Sequence, residues 1–288
     1  MQSYLITGGS GSFGQAFTSY LLDNNVSDRI CIYSRSEHVQ ADMAEAFRQD
    51  ERLRFFIGDV RDRDRLRRAM HGVDVVIHAA ALKRIEVGKY NPIEMVRTNI
   101  DGAINVIEAS QDAGVKRVVA LSTDKAYQPI SPYGQSKALA ESLFLAANDT
   151  VRADGPSFVV TRYGNVWWSK GSVGPRWWPL KQQGFRCVPV TDLHCTRFFM
   201  TMHEACELVH FAADNISGPY RTDGNVWIPE LPAYDLGTLC QAFGMKPNIT
   251  GLPAWEKLHE SMSDELCSAD ARRMTVDELR LAIEEVTT

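Results

Sequence analysis

The sequence lacks any arrangement of cysteines that would mark a disulfide framework, a redox motif or a zinc site. No C-x-x-C pair occurs, and no cluster of cysteine and histidine has the spacing of zinc ligands, so no metal site is predicted. In a chain of 288 residues, such scattered thiols indicate a reducing compartment. The six cysteines are Cys31, Cys187, Cys195, Cys206, Cys240 and Cys267.

Long apolar runs and a surplus of positive charge are also missing. No apolar stretch reaches membrane-spanning length, and residues 1–7 run straight into a strand instead of a charged leader with a cleavage site. The net charge of -5 and the pI of about 5.8 leave no broad basic face for nucleic acid. We therefore expect a cytoplasmic protein that binds neither membranes nor nucleic acid.

What the sequence does contain is a regular alternation of strand-like and helix-like segments. Repeated β-α units of this length predict a parallel sheet with right-handed crossovers, which is a doubly wound, Rossmann-like α/β fold. Strands are predicted over residues 4–7, 29–33, 53–57, 73–78, 118–121 and 158–161, and helices over 13–21, 39–47, 92–113, 136–147, 203–213, 236–243 and 276–286.

This rhythm breaks after Gly164, where tryptophan, proline and glycine become frequent. We expect residues 1–164 to form a dinucleotide-binding domain that includes the catalytic side chains. Residues 165–288 are expected to form mainly a smaller substrate-binding lobe, with some segments returning to the sheet. A cleft should lie between the two parts.

A glycine-rich turn over residues 8–14 follows the first strand and opens the first helix. Gly8 permits a tight turn, Gly11 lets the backbone approach a pyrophosphate, and Gly14 allows close packing of the helix on the strand. The helix N-terminus favours the negative charge of the pyrophosphate. The predicted dinucleotide contacts in this turn are Gly8, Ser10, Gly11, Ser12, Phe13 and Gly14.

The end of the second strand indicates which dinucleotide is bound. An acidic residue there would bind the 2′-hydroxyl of NAD, but this chain has Ser34 and Arg35 instead. A guanidinium pairs well with phosphate oxygens, which favours NADP over NAD. The alternative is that Arg35 is a surface arginine in a loop.

Tyr133 and Lys137 are four residues apart at the start of a predicted helix, so they share a face. A lysine beside a phenol should lower the pKa of the phenol, which makes Tyr133 a candidate acid and base toward a sugar hydroxyl. Lys137 can also reach the ribose of a nicotinamide.

Asp124 and Lys125 follow the fifth predicted strand, at the sheet edge where ligands bind. An oxidoreductase does not need this acid and amine, whereas elimination of water does. One group must remove a proton from carbon while another protonates the departing hydroxyl. The alternative is a structural ion pair that caps the strand.

Residues 122–126, together with Tyr133 and Lys137, resemble the soluble UDP-N-acetylglucosamine 4,6-dehydratases, in particular the inverting enzymes of pseudaminic acid-type pathways. Gly8, Gly11 and Gly14 are each three residues apart, a spacing that resembles that of the extended short-chain dehydrogenase/reductase superfamily. The likeness extends over nearly the whole chain to about residue 265, through residues 55–62, 78–83, 162–166, 196–198 and 256–260.

The resemblance implies a retained NADP and a cycle that oxidises carbon 4 of the sugar, eliminates water across carbons 5 and 6, and returns the hydride to carbon 6. Lys125 would remove the carbon 5 proton and Asp124 would protonate the leaving hydroxyl. Tyr133 would act at the carbon 4 oxygen, with Thr123 beside it. The product would be a UDP-4-keto-6-deoxy-hexosamine made from UDP-N-acetylglucosamine, with inversion at carbon 5.

The resemblance also implies the remaining contacts and a homo-oligomer. Asn165, Arg197 and Glu256 would hold the sugar nucleotide, with Arg197 at the diphosphate and Glu256 at ribose hydroxyls; Lys83 would serve both ligands. The other implied cofactor contacts are Asp59 at the adenine, Val60, Ala79, Ala80, Ala81, Lys83 and Asn99.

The chain departs from the family pattern in the tryptophan-rich residues 167–178 and at Trp255, which replaces an arginine. We expect these tryptophans in the core or at a subunit contact. Two other functions stay open: a nucleotide-sugar 4-epimerase or reductase on the same fold, and a non-catalytic NADP-binding protein.

Overall fold

The computed structural model describes residues 1–215 and 220–287. None of the helices in these two ranges combines the length and apolar character needed to cross a membrane. The strands are β1 (Ser3–Thr7), β2 (Arg29–Ser34), β3 (Leu53–Ile57), β4 (Val75–His78), β5 (Arg117–Leu121), β6 (Ser157–Thr161), β7 (Asn165–Val166), β8 (Cys187–Val190), β9 (Thr196–Met200), β10 (Arg221–Asp223), β11 (Val226–Ile228), β12 (Ala233–Asp235) and β13 (Lys246–Ile249). The helices are α1 (Ser12–Asp23), α2 (Glu37–Ala46), α3 (Arg63–Ala69), α4 (Ile85–Tyr90), α5 (Pro92–Val96), α6 (Gly102–Ala113), α7 (Pro132–Thr150), α8 (Val173–Gln182), α9 (Met202–Asp214), α10 (Leu236–Phe243) and α11 (Val276–Thr287).

A large sheet runs in the order β10-β11-β6-β5-β4-β1-β2-β3. Its neighbours pair in parallel except for the edge strand β10, which is antiparallel to β11. The strand order reverses between β1 and β4, and such a switch point opens a crevice at the carboxyl ends of the strands. The predicted doubly wound α/β fold is confirmed.

Burial on both faces explains why the central strands are almost continuously apolar. Leu5 and Val76 face one side, among side chains of α3, α6 and α7. Ile6 and Ile77 face the other, among side chains of α1 and α9. A strand covered on both sides has no solvent face that would need polar residues, so its sequence shows no alternation.

The predicted helix over 92–113 is interrupted in the structure. It consists of α5, a π-helical turn at Arg97–Asp101 and α6. The short helix α4 before it was not predicted; Pro92 at the start of α5 separates the two, because the residue before a proline disfavours the helical conformation. Both features lie beside the crevice and shape one of its walls.

The second half of the chain builds a smaller lobe and also returns to the large sheet. Strands β12-β9-β7 and β13-β8 form two small sheets, whereas β10 and β11 extend the large one. Trp167 and Trp177 are buried in a separate core with Phe243, and the Trp167 indole donates to the Ala282 carbonyl at 3.0 Å. These two tryptophans are core residues, which was one of the two expectations for them; the other was a subunit contact.

A buried ion pair fastens the end of β6 to α7. The Arg162 guanidinium donates to both carboxylate oxygens of Glu141, at 2.6 and 3.1 Å, and to the Met262 carbonyl at 2.6 Å. Both side chains are largely buried. The pair therefore links the large sheet to the C-terminal segment that forms one side of the crevice.

We expect Glu141→Ala to lower the free energy of unfolding by about 3–5 kcal/mol, because it leaves the buried guanidinium without its partner. Denaturant unfolding measures the change. The matched control is Glu108→Ala, which breaks the exposed pair with Arg63 and should cost less than about 1 kcal/mol. Equal losses in the two variants would contradict the structural role assigned to Glu141.

Candidate active site

A cleft of about 1210 Å³ opens at the switch point, with walls from both parts of the chain. Asn99 is the one predicted site residue that does not reach its wall. The predicted residues that the structure brings together there are Gly8, Ser10, Gly11, Ser12, Phe13, Gly14, Ser34, Arg35, Asp59, Val60, Ala79, Ala80, Ala81, Lys83, Thr123, Asp124, Lys125, Tyr133, Lys137, Asn165, Arg197 and Glu256.

The glycine turn has the geometry of a pyrophosphate cradle. Gly8 has a φ of +67°, and a Cβ there would lie 2.9 Å from the Ala80 backbone. A Cβ on Gly14 would lie 2.4 Å from the Gly9 carbonyl oxygen. Gly11 caps α1 without a side-chain hydrogen bond, which leaves the amides of the first turn free to face an anion. These residues fit a dinucleotide phosphate.

The end of β2 carries an ordered hydroxyl and an exposed guanidinium. The Ser10 hydroxyl donates to the Ser34 hydroxyl at 2.8 Å, and the buried Gln40 amide donates to the same oxygen at 2.9 Å. Arg35 follows on the exposed rim of the cleft. Next to it, the Asp59 carboxylate is held by the Arg61 guanidinium at 2.8 Å. A 2′-phosphate would therefore meet one positive side chain and one fixed hydroxyl here.

Asn99 supports the cleft from behind rather than lining it. Its carbonyl oxygen accepts the Leu82 amide at 2.8 Å, and its amide donates to the Leu82 carbonyl at 3.0 Å and to the Ser136 hydroxyl at 2.9 Å. The π-helical turn places this side chain between the loop after β4 and helix α7. Asn99 thus fixes the loop that carries Lys83, whose pKa is lowered by burial and by Arg84.

Asp124 and Lys125 sit on a single 3-10 turn, Asp124–Ala126, directly after β5. The Thr123 hydroxyl caps this turn and donates to Asp124 Oδ1 at 2.9 Å. Lys125 Nζ donates to the same oxygen at 3.0 Å and to Asn165 Oδ1 at 3.4 Å. The expected acid and amine therefore form a contact pair on the cleft floor.

Two features of this pair indicate more than a strand cap. The Asp124 side chain is fully buried, and its Oδ2 atom has no hydrogen-bond partner among the described residues. A buried carboxylate oxygen without a partner is costly and calls for a functional explanation. The pKa of Lys125 is raised: burial acts to lower it, but Asp124 and Glu260 together outweigh that effect.

Tyr133 and Lys137 lie on the first turns of α7, as expected, but they do not act on each other as predicted. Burial raises the pKa of Tyr133 to about 12, and the cation that opposes this rise is Lys125. Lys137 Nζ donates to the Leu121 carbonyl at 2.6 Å, and burial lowers its pKa to about 8 against the effect of Glu141. The expected lowering of the Tyr133 pKa by Lys137 is therefore wrong, because desolvation dominates.

Arg197 and Glu256, predicted to bind different parts of a ligand, bind each other. Arg197 is 6% exposed; its guanidinium donates to the Glu256 carboxylate and to the carbonyls of Thr196 and Leu258. The guanidinium expected at a diphosphate is thus occupied by Glu256 in this arrangement. The ion pair instead orients the Glu256 carboxylate at the cleft wall.

Glu260 is the residue that sequence reasoning missed. It is 2% exposed, lines the cleft, and places its Oε1 atom 3.4 Å from Lys125 Nζ. The only signal in the sequence was its place at the end of the segment 256–260, which also carries Glu256. Contact with Lys125 could not be read from it, because 135 residues of chain separate the two positions.

A family model described as "Polysaccharide biosynthesis protein" matches residues 4–278. The chain belongs to this family. Among its relatives, a UDP-N-acetylglucosamine 4,6-dehydratase (inverting) of Campylobacter jejuni is 44% identical over 91% of this chain and 77% of its own. A UDP-glucose 4-epimerase of Rickettsia prowazekii is 39% identical over 93% of this chain and 80% of its own.

Solved structures of other proteins share the fold of this chain. Pen from Bacillus thuringiensis has a TM-score of 0.89 at 30% identity and covers 99% of this chain and 98% of its own. DesIV from Streptomyces venezuelae, a dTDP-glucose 4,6-dehydratase solved with NAD and TYD bound, has a TM-score of 0.80 at 23% identity, over 98% and 96%. At that identity, DesIV shows that the fold is shared. Extended short-chain dehydrogenase/reductase architecture is thus common to these proteins and this chain.

Proposed function

We propose that this chain is a nucleotide-sugar 4,6-dehydratase that converts UDP-N-acetylglucosamine to a UDP-4-keto-6-deoxy-hexosamine, with inversion at carbon 5. The observation that carries the proposal is the contact between Asp124 and Lys125 on the cleft floor, where Asp124 Oδ2 has no hydrogen-bond partner within residues 1–215 and 220–287. An acid and an amine side by side can supply the two proton transfers that elimination of water requires. The identity to the Campylobacter dehydratase supports the same reaction and substrate.

The side chains divide the proton transfers between them. When bound, an NAD(P)-type nicotinamide supplies reversible oxidation at carbon 4. Tyr133 would take the proton of the carbon 4 hydroxyl as its phenolate, a form that the neighbouring Lys125 and the Thr123 hydroxyl favour against the effect of burial. Lys125 removes the proton of carbon 5, which the new ketone acidifies, and Asp124 protonates the oxygen that leaves carbon 6. Lys137 holds the floor of the site through the Leu121 carbonyl.

The two parts of the chain hold the two ligands. In this proposal residues 1–164 bind the dinucleotide, and residues 165–288 supply most contacts to the sugar nucleotide. Glu256 accepts ribose hydroxyls, and Arg197 keeps that carboxylate in place. Asn165 and Lys83, which both line the cleft, supply further contacts to the sugar nucleotide.

We further propose NADP as the preferred dinucleotide, held at its 2′-phosphate by Arg35. Arg35→Ala should weaken NADP binding by about 10–100-fold, the loss expected for one charge-assisted hydrogen bond, and leave NAD binding nearly unchanged. Titration calorimetry with each dinucleotide measures this. A wild-type preference for NAD, or an equal loss for both dinucleotides, would contradict the assignment; Arg48→Ala, an exposed arginine just beyond α2, is the control.

A second copy of this chain is the proposed partner. A shallow groove between α6 and α7 is lined by Ile104, Ile107, Leu143 and Ala146. Leu139 stands exposed on the same helix α7. Apolar side chains on adjacent helices are suited to a homo-oligomeric contact. Light scattering of Leu139→Glu against the wild type would test it, with a lower molar mass expected for the variant.

Incubation with UDP-N-acetylglucosamine tests the proposed function. We expect a product that has lost the mass of one water, with a methyl signal for carbon 6 and a ketone or its hydrate at carbon 4 in the NMR spectrum. A product of unchanged mass with its 6-hydroxyl intact would identify a 4-epimerase, as the likeness to the Rickettsia protein would suggest. Binding of the dinucleotide without any product from a panel of nucleotide sugars would point to a non-catalytic protein.

A further inference from the structure

A second buried carboxylate faces Lys125 from the C-terminal segment. Glu260 Oε1 lies 3.4 Å from Lys125 Nζ. Glu260 belongs to the C-terminal segment and is distant in sequence from the turn that carries Asp124. The backbone around Glu260 is fixed by Ser268, whose hydroxyl accepts the Glu260 amide at 2.8 Å and whose own amide donates to the Glu260 carbonyl at 2.7 Å. This carboxylate is therefore built into its position rather than carried on a free side chain.

We propose that Glu260 is a positioning residue of the proposed dehydration: its carboxylate holds the Lys125 ammonium on the cleft floor and sets the pH at which this amine can release a proton. The inference rests on the proposed function for the use of that proton. The contact between the two groups, and the titration that follows from it, do not depend on the substrate.

The surroundings of Lys125 match those of an ammonium group. Three side-chain oxygens lie within 3.4 Å of its Nζ: Asp124 Oδ1, Asn165 Oδ1 and Glu260 Oε1. An ammonium has three N–H donors and no acceptor; here it donates to the oxygens of Asp124 and Asn165 and forms an ion pair with Glu260 Oε1. A neutral amine would direct its lone pair at one of them and lose that hydrogen bond. The geometry thus stores the proton on Lys125 at rest.

The charges around this lysine are mixed, and the carboxylates prevail. From its own turn comes Asp124, from the C-terminal segment Glu260, and from β9 the opposing guanidinium of Arg197. Glu260 is itself shared, since its Oε2 atom lies 3.6 Å from Lys257 Nζ. Among the described residues, Tyr133 on α7, Tyr234 on β12 and Glu256 beside Arg197 also face the cluster.

The proton held on Lys125 can produce the base and the acid of the elimination in one step. Transfer of one proton from Lys125 Nζ to Asp124 Oδ1 yields a neutral amine and a carboxylic acid. The amine then takes the carbon 5 proton as the bond from carbon 6 to oxygen breaks, and the acid gives its proton to the departing oxygen, which leaves as water. Both residues return to their starting charges. The Glu260 carboxylate takes no part in the transfer and faces the ammonium that re-forms.

The test is a titration of Lys125 that needs no substrate. Lys125 is 23% exposed in the cleft, so an amine-acylating reagent can reach it, and peptide mass spectrometry reports its modification against pH. Glu260→Gln keeps the size of the side chain and removes its charge. We expect the midpoint to move to lower pH by about one unit or more, because an opposite charge at this distance favours the charged amine by that amount.

Glu260→Asp is a second variant, which keeps the test possible if Glu260→Gln does not fold. Withdrawing the carboxylate by one methylene should shift the midpoint in the same direction, but less. The surface variant Glu230→Gln, outside the cleft, should leave it unchanged. A midpoint that stays at the wild-type value in both Glu260 variants would overturn the proposal, as would an equal shift in Glu230→Gln.

The pH profile of dehydration is the second readout. The alkaline limb, on which the pair loses its stored proton, should move to lower pH in Glu260→Gln along with the lysine midpoint; an alkaline limb that stays in place while the midpoint moves would refute the link to the reaction. If the wild type releases no water from UDP-N-acetylglucosamine, the proposed function fails, whereas the lysine titration still decides whether Glu260 governs Lys125.

Discussion

Replacing Lys125 with methionine should lower the rate of dehydration by about 10²–10⁴-fold, the usual contribution of a positioned general base. Methionine keeps most of the length of the side chain and removes the amine that would take the carbon 5 proton. Loss of hydrogen exchange at carbon 5, followed by NMR in deuterated water, measures the base function directly. Dinucleotide affinity should stay within about threefold of the wild type, since Lys125 lies outside the glycine turn.

The matched control is Lys181→Met, on α8, where the ammonium lies 5.6 Å from the Trp178 ring and does not line the cleft. It should retain wild-type turnover. Lys125→Met also leaves Asp124 and Glu260 buried without their shared cation, so a lower melting temperature is expected. Full turnover in folded Lys125→Met would remove this residue from the mechanism.

Asp124→Asn should abolish the protonation of the leaving hydroxyl and lower dehydration by about 10²-fold or more, because an amide cannot act as the acid. The substitution keeps the shape of the side chain and removes a desolvated charge whose Oδ2 atom has no partner among the described residues. Asparagine keeps an oxygen for the hydrogen bonds from Lys125 and Thr123, and Glu260 still pairs with Lys125, so folding stability should fall less than in Lys125→Met, in contrast to the activity. Steady-state kinetics and a thermal melt of the same sample separate the two effects.

Asp149→Asn, on the exposed end of α7, controls for the substitution itself and should change neither quantity. A parallel loss of stability and activity in Asp124→Asn would indicate that Asp124 is a structural cap of the turn after β5. Retention of activity would leave the elimination without its acid and favour the epimerase alternative.

The large sheet could be predicted from the sequence because its strands are buried on both faces. Runs such as 75–78 indicate strands without any alternation, and the repeated β-α units predict that these strands are parallel. The small strands of the second half, two to five residues long, were not predicted. Their pairing depends on distant partners, such as β9 with β12, and leaves no local pattern.

The candidate site was predictable where it is local and not where it depends on folding. Asp124 and Lys125 are neighbours in the chain, so their contact follows from one turn. The Arg197–Glu256 pair and the Glu260–Lys125 contact join positions 59 or more residues apart, and no spacing rule links them. Asn99 was assigned to the cleft, but the π-helical turn directs its side chain to Leu82 and Ser136.

The central claim is that one cycle oxidises carbon 4, eliminates water and reduces carbon 6 of the same sugar. The most direct measurement uses UDP-N-acetylglucosamine with deuterium at carbon 4 and locates the label in the product by NMR. We expect the deuterium in the methyl group at carbon 6, in a product that lacks one water. Deuterium retained at carbon 4 of a product that keeps its 6-hydroxyl would contradict it.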